Sequence, residues 1–211
     1  MFICVGIAYL ILIFLYIKFK HSNNQVLRVI IKLILALMYF VVGLLGFLRG
    51  PFEAYKLGFV IGLGFCVLGD ILLLKNYMVG GSFFTLGHLT FSFSLLSKIP
   101  DNLLRLETFI FSVLYSIALV IIFKKILLLK KDKYKPLITA YLSVISLSVC
   151  TSLITTTYSP HYFFIGLILF FISDIFLLYD KFVKSNLKLN ILNSIFYFTG
   201  IFLIAICLFG V

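Results

Sequence analysis

Residues 54–74, AYKLGFVIGLGFCVLGDILLL, form an almost entirely apolar run. An α-helix rises ~1.5 Å per residue, so a run of this length crosses the ~30 Å hydrocarbon core of a bilayer. Seven other runs have the same character, at 2–19, 27–48, 80–97, 103–123, 137–157, 161–179 and 189–209. We therefore predict an all-α integral membrane protein. It is a bundle of eight transmembrane helices that forms one domain over residues 1–211, with no separate soluble domain.

The composition excludes a soluble globular protein. Hydrophobic residues make up 63% of the chain and charged residues only 12%, whereas soluble domains carry ~25% charged residues. So few charged side chains cannot cover a surface that faces water. The net charge of +11 is interpreted as basic loops held beside a membrane, and we expect no nucleic-acid partner. The cysteines lie singly in apolar runs and predict neither a disulfide framework nor a zinc ribbon.

Basic residues are concentrated on one side of the predicted bundle. The loops after the first, third, fifth and seventh spans hold 13 of them, and the opposite side holds four: Arg49, Lys56, Lys98 and Arg105. By the positive-inside rule, the richer side is cytosolic and both termini are outside. The short loops and the abundance of Lys, Ile and Phe favour a bacterial source, so the expected location is the inner membrane.

Apart from the ionisable residues that mark where spans begin, four lie in the predicted membrane interior: Lys32, Asp70, His88 and Asp174. Such groups cost ~2.5–3.5 kcal/mol on insertion scales and are functional candidates by default. Counting at ~1.5 Å per residue from the cytosolic ends of the spans places all four in the cytosolic half. A structural pairing of the aspartates with Lys32 or with asparagines would give the same pattern.

Uncharged polar residues lie toward the same side. The last predicted helix carries Asn193 and Tyr197 on one face, and the sixth begins a polar face at Tyr141. Arg28 and Lys32 stand at the start of the second helix. Together these residues predict one cavity that opens toward the cytosol.

Two carboxyl groups in one apolar cavity can supply an acid and a base, because one keeps its proton while the other is ionised. Glycosidases use such a pair around an oxocarbenium-like transition state. The chain has no GxSxG motif, and its histidines, His21, His88 and His161, are too scattered for a three-ligand metal site. We expect carboxylate chemistry on an acid-labile ether, with no metal and no other cofactor.

Three motifs resemble the YhhN-like lysoplasmalogenase family: GLGFCVLGDILLL at 62–74, GGSFFTLGHLTFSF at 80–93 and GLILFFISDIFLLYDKF at 166–182. The resemblance spans essentially the whole chain. It implies an enzyme that hydrolyses the vinyl ether bond of lysoplasmalogen, a lysophospholipid within the bilayer. The products are a fatty aldehyde and glycerophosphoethanolamine or glycerophosphocholine. By position in the motifs, Asp70 and Asp174 match the two acidic residues of the family.

The resemblance also matches His88 to the histidine of the family, Lys32 to a lysine of its second helix, and Tyr141 to a tyrosine of its sixth. In the mechanism that we expect, one aspartic acid protonates the alkenyl carbon, and the other stabilises the oxocarbenium ion and activates water. The expected substrate-binding residues are Lys32, His88, Tyr141, Asn193, Tyr197 and Arg28, with Lys32 and Arg28 on the phosphate.

Two other functions are compatible with these residues. A small-solute or proton-coupled transporter also places Asp, Lys and His in its membrane spans, but its polar groups must cross the whole bilayer. A noncatalytic lipid-binding protein would keep the cavity without needing both acids. Release of aldehyde by the purified protein distinguishes the three.

Overall fold

The computed structural model describes residues 2–20, 24–127, 135–157 and 161–210, and these residues form no strand. The described residues fold into eight α-helices and a short 3-10 turn: α1 (Phe2–Lys20), α2 (Gln25–Arg49), α3 (Ala54–Leu73), α4 (Tyr77–Ser97), α5 (Asn102–Leu127), α6 (Lys135–Ile154), α7 (His161–Phe182), α8 (Leu187–Ile206) and the 3-10 turn Cys207–Phe209. The all-helical class expected from the sequence is confirmed for this part of the chain.

Seven of these helices, α2 to α8, are long and apolar enough to cross a bilayer. α1 packs against α8 through two aromatic pairs. The ring of Tyr9 stacks on that of Phe202 with centroids 4.1 Å apart, and Tyr16 meets Phe198 edge-on at 5.3 Å. The role of α1 as an eighth span, and the external position of both termini, stay predictions.

Side-chain caps decide where several helices begin. α4 begins at Tyr77, before the expected span start at 80, because the Asn76 side chain accepts hydrogen bonds from the backbone N–H groups of Met78 and Val79, at 2.9 and 3.3 Å. Caps of the same kind begin α2, α5 and α8, at Asn24, Asp101 and Asn186. α5 also continues to Leu127, beyond the expected end at 123.

α7 and α8 come into close backbone contact where Gly166 faces Gly200. A Cβ atom built on either glycine would lie 2.7 Å from the carbonyl oxygen of the other. Only glycine allows the two backbones to touch here, since any side chain would force the helices apart. This contact fixes Asp174 on α7 and Tyr197 on α8 relative to each other.

Most helices share one hydrophobic core, while α5 lies at the periphery. Only 22% of the α5 span is buried, against 56% of the α8 span. Within the core, the rings of Phe59 on α3 and Phe163 on α7 stack with centroids 4.4 Å apart. Phe91 on α4 meets Phe163 edge-on at 5.8 Å. The candidate functional residues lie on α2, α3, α4, α6, α7 and α8, and none lies on α5.

The loop charges predict the orientation of the bundle, which cysteine labelling can measure. In a cysteine-free background, a single cysteine at Lys184, after α7, is expected to react with an impermeant maleimide only in lysed spheroplasts. A cysteine at Phe52, between α2 and α3, is expected to react in intact ones, because Phe52 is 73% exposed on the side with few basic residues. Native Cys4 is exposed and must be replaced first. The reverse labelling pattern would contradict the orientation.

Candidate functional site

A polar cavity of about 390 Å³ lies among α1, α2, α3, α4, α7 and α8. By the orientation expected from the loop charges, it lies at the cytosolic end of the bundle. Its size falls within the ~300–1,000 Å³ of small-molecule sites. The lining residues are Tyr16, Lys20, Arg28, Lys32, Asp70, Leu73, Leu74, Tyr77, Phe84, Asp174, Leu177, Lys181, Asn190, Asn193, Ser194, Tyr197 and Phe198. We call this space the polar cavity.

Asp70 is held by groups from two other helices. Its Oδ1 atom lies 3.1 Å from the Nζ atom of Lys32, which also donates to the Asp70 backbone carbonyl at 3.1 Å. Its Oδ2 atom accepts hydrogen bonds from the hydroxyls of Tyr197, at 2.6 Å, and Tyr39, at 3.1 Å. Both carboxyl oxygens are thus acceptors beside a cation, which is the environment of an ionised carboxylate.

Asp174 has a different environment in the same cavity. It forms no ion pair with any described residue, and its Oδ2 atom has no hydrogen-bond partner there. The carboxyl group is buried, and the Tyr141 hydroxyl lies close enough to interact with it. A carboxyl group without a cation favours its neutral form because an unpaired buried charge is costly. Asp70 and Asp174 therefore differ in what surrounds them, although both face the polar cavity.

Asn193 and Tyr197 form the α8 side of the polar cavity. The Asn193 side-chain amide donates to the backbone carbonyl of Ser173 at 2.9 Å, which ties α8 to α7 next to Asp174. The Tyr197 ring contacts Phe84 and Phe170 edge-on, with centroids 5.7 and 5.0 Å apart. These contacts hold the Tyr197 hydroxyl toward Asp70.

Four cations line the polar cavity: Lys20, Arg28, Lys32 and Lys181. Lys32 forms the ion pair with Asp70. The Nζ atom of Lys20 donates to the carbonyl of Asn190 at 2.9 Å and to the Ser194 hydroxyl at 2.5 Å. An Nη1 atom of Arg28 lies 3.4 Å from the Lys20 carbonyl oxygen. Three cations thus remain at the wall without a carboxylate partner among the described residues, which suits an anionic group such as a phosphate.

His88 does not line the polar cavity. His88 extends from α4 and is fully buried against α6, where its Nδ1 atom lies 2.7 Å from the Ser148 hydroxyl. Its ring meets Phe170 edge-on at 4.5 Å, and Phe170 in turn contacts Tyr197. In the described part of the chain, His88 therefore reaches the polar cavity only through an aromatic neighbour.

The structure brings most of the predicted site residues together. The polar cavity is lined by Arg28, Lys32, Asp70, Asp174, Asn193 and Tyr197. Tyr141 does not line the polar cavity but lies close to Asp174, which does. His88 lies away from the polar cavity. Sequence reasoning missed Lys20 and Lys181, because it counts them only among the basic residues of the loops. Tyr39 lies two helical turns after Lys32, and this spacing predicts that both face the cavity.

The described residues contain no cluster of three or more His, Cys, Asp or Glu side chains that could hold a metal ion. His161 is the first residue of α7 and lies more than three helical turns before Asp174. His21 lies outside the described residues.

A comparison with known families finds a match over most of the chain. The model of the YhhN family matches residues 27–208, from the first turn of α2 to the 3-10 turn after α8. The matched range contains every residue named above as lining the polar cavity except Tyr16 and Lys20. No curated protein and no solved structure matches the chain.

Proposed function

This chain belongs to the YhhN family, and we propose that it is a membrane hydrolase that cleaves the vinyl ether bond of lysoplasmalogens. The products are a fatty aldehyde and glycerophosphoethanolamine or glycerophosphocholine. The observation that carries the proposal is a pair of aspartates with opposite surroundings in one cavity. Asp70 has a cation and two hydroxyl donors, and Asp174 has neither an ion pair nor a partner for Oδ2 within the described residues.

The two environments assign the two roles. Asp174 is the proton donor, because its carboxyl group has no cation that would hold it as a carboxylate. Asp70 is the carboxylate that stabilises positive charge, because Lys32, Tyr39 and Tyr197 hold it in that form. This division follows the general rule that paired carboxyl groups in different surroundings divide into an acid and a base.

The proposed reaction returns Asp70 and Asp174 to their starting protonation states. Asp174 gives its proton to the alkenyl carbon next to the ether carbon, and an oxocarbenium ion forms. Water adds to that ion while Asp70 takes the water proton, which gives a hemiacetal. Asp70 then protonates the leaving glycerol oxygen as Asp174 takes the proton of the hemiacetal hydroxyl. The C–O bond breaks, and the aldehyde is released.

The cations of the polar cavity support a phospholipid headgroup as the ligand. Lys20, Arg28 and Lys181 line the cavity wall, while Lys32 is engaged by Asp70. We assign the phosphate to these three cations and give Lys32 the role of holding the carboxylate. The site then lies in the cytosolic half of the membrane, which we take to be the bacterial inner membrane.

A transporter is the less favoured function. The polar groups of a transporter must continue across the whole bilayer, but aromatic side chains fill the bundle on the other side of the polar cavity from the cytosol. Phe59 and Phe163 stack there at 4.4 Å, and Phe91 packs edge-on against both. A noncatalytic lipid-binding protein has no need for two carboxyl groups in such different surroundings.

The purified protein in detergent is expected to release fatty aldehyde from lysoplasmalogen in equal amount to glycerophosphoethanolamine or glycerophosphocholine. The saturated 1-alkyl analogue is the matched control, and it is expected to remain intact because it has no double bond to protonate. Turnover is expected to be unchanged after exhaustive chelation, since the roles above need only side chains of this chain. Absence of aldehyde would contradict the hydrolase, and a loss restored by zinc would contradict the carboxylate mechanism.

A further inference from the structure

A second cavity, of about 350 Å³, lies as a groove between the cytosolic halves of α4 and α6. The two helices touch at His88 and Ser148, and the groove occupies the space on the cytosolic side of that contact. Its walls include Met78, Gly81, Leu86, Leu137, Ala140 and Val144. We call this space the apolar groove.

The apolar groove faces the lipid. Leu86 and Leu137, at its edges, are 42% and 45% exposed. The hydroxyls of its serine and threonine are already engaged by the backbone of α4, since Ser82 donates to the carbonyl of Met78 at 3.1 Å and Thr85 to that of Gly81 at 3.0 Å. A hydrocarbon chain can thus enter sideways from the bilayer and meet hydrocarbon on both walls.

The apolar groove adjoins the polar cavity. Tyr77 lines both spaces. Tyr141 lines the groove and interacts with the Asp174 carboxyl group. Leu178, one helical turn after Asp174 on α7, also belongs to the groove wall. The boundary between the two spaces therefore passes beside the proposed proton donor.

We propose that the apolar groove binds the alkenyl chain of the lysophospholipid and sets the chain length that the enzyme accepts. The inference rests on the proposed function. With the phosphate among the cations of the polar cavity and the chain between α4 and α6, the bond that joins them lies beside Tyr77, Tyr141 and Asp174. The chain then runs toward Leu86, and the His88–Ser148 contact limits its length.

Gly81 provides the variant for the test. A Cβ atom at Gly81 would meet no atom within 4 Å, so Gly81→Leu has room at Cβ, and its side chain is expected to extend into the groove that Gly81 lines. Gly6→Leu is the matched control, because a Cβ atom at Gly6 on α1 also meets nothing within 4 Å. In Gly81→Leu, the kcat/KM for long-chain lysoplasmalogen, divided by that for short-chain lysoplasmalogen, is expected to fall about tenfold. The reason is that the long chain then loses the burial of about two methylene groups. In Gly6→Leu the ratio is expected to equal that of the native protein.

Photolabelling tests binding separately from catalysis. The probe is a saturated 1-alkyl lysophosphatidylcholine with a diazirine at the chain end, and it is expected to label peptides of α4 and α6 in the native protein and several-fold less in Gly81→Leu. Labelling confined to other helices, or an unchanged chain-length ratio in a folded Gly81→Leu protein, would overturn the proposal. Labelling of α4 and α6 without any aldehyde release would support the groove and reject the proposed hydrolase.

Discussion

Replacing Asp174 by asparagine is expected to lower the turnover number for lysoplasmalogen by on the order of 100-fold or more, as for the loss of a general acid. Asparagine keeps the size of the side chain but cannot give a proton to carbon. Because Asp174 makes no ion pair with a described residue, its replacement leaves no cation without a partner. The melting temperature in detergent is therefore expected to change little, and aldehyde release is measured on the same preparation.

Asp70→Asn is expected to cost a similar factor in turnover, because the carboxylate that stabilises the oxocarbenium ion and accepts the water proton is lost. Here the melting temperature is expected to fall, since Lys32 loses the carboxylate that lies 3.1 Å from its Nζ atom. The double variant is expected to be little slower than the slower single variant, because the two groups act in one reaction sequence.

Asp101→Asn is the matched control for both variants. Asp101 is exposed and caps α5 through hydrogen bonds from the backbone N–H groups of Leu103 and Leu104, and asparagine caps a helix as well as aspartate does. Its turnover and melting temperature are expected to match the native protein. Turnover near the native value in Asp70→Asn or Asp174→Asn would reject the catalytic pair. Loss of folding in Asp174→Asn would instead favour a structural role.

Lys32→Met is expected to destabilise the protein by about 3–5 kcal/mol, as for the removal of one partner from a buried ion pair. The Lys32 side chain is 12% exposed and that of Asp70 only 1%, so water can replace little of the lost interaction. Turnover is expected to fall on the order of 100-fold, because Asp70 then lacks the cation that holds it as the carboxylate. Thermal unfolding and aldehyde release in detergent give both values.

The double variant Lys32→Met/Asp70→Asn separates the ion pair from other roles of Lys32. Once both charges are gone, no unpaired charge is buried, so the stability is expected to recover in part while turnover stays low. If Lys32 instead bound the phosphate, as the sequence suggested, Lys32→Met would raise KM and leave the melting temperature unchanged. That result would contradict the assignment of Lys32 to Asp70.

The helices themselves were readable from the sequence, because the periodicity and apolar length of a helix are local properties. The observed bounds differ from the expected spans by a few residues, as at α4, where the Asn76 cap moves the start to Tyr77. The expected site residues on α2, α3, α7 and α8 also share one cavity. Their ionisable groups stood out because the surrounding run was apolar.

Local sequence could not distinguish the two aspartates. Residues 62–76 and 166–180 share six of 15 positions, including the aspartate, yet Asp70 has a cation and two hydroxyls while Asp174 has the Tyr141 hydroxyl. The difference comes from the neighbouring helices. Tyr197, which donates to Asp70, lies 127 residues further along the chain.

The sequence by itself therefore determined the class of protein, the approximate spans and the pair of buried acids, since each follows from the residue types within one segment. Tertiary structure alone decided that Lys32 pairs with Asp70, that His88 lies against Ser148 and that a groove opens between α4 and α6. Each of these depends on which helix faces which, and hence on contacts such as that of Gly166 with Gly200. Packing of this kind is set by side chains far apart in the chain, which no local pattern records.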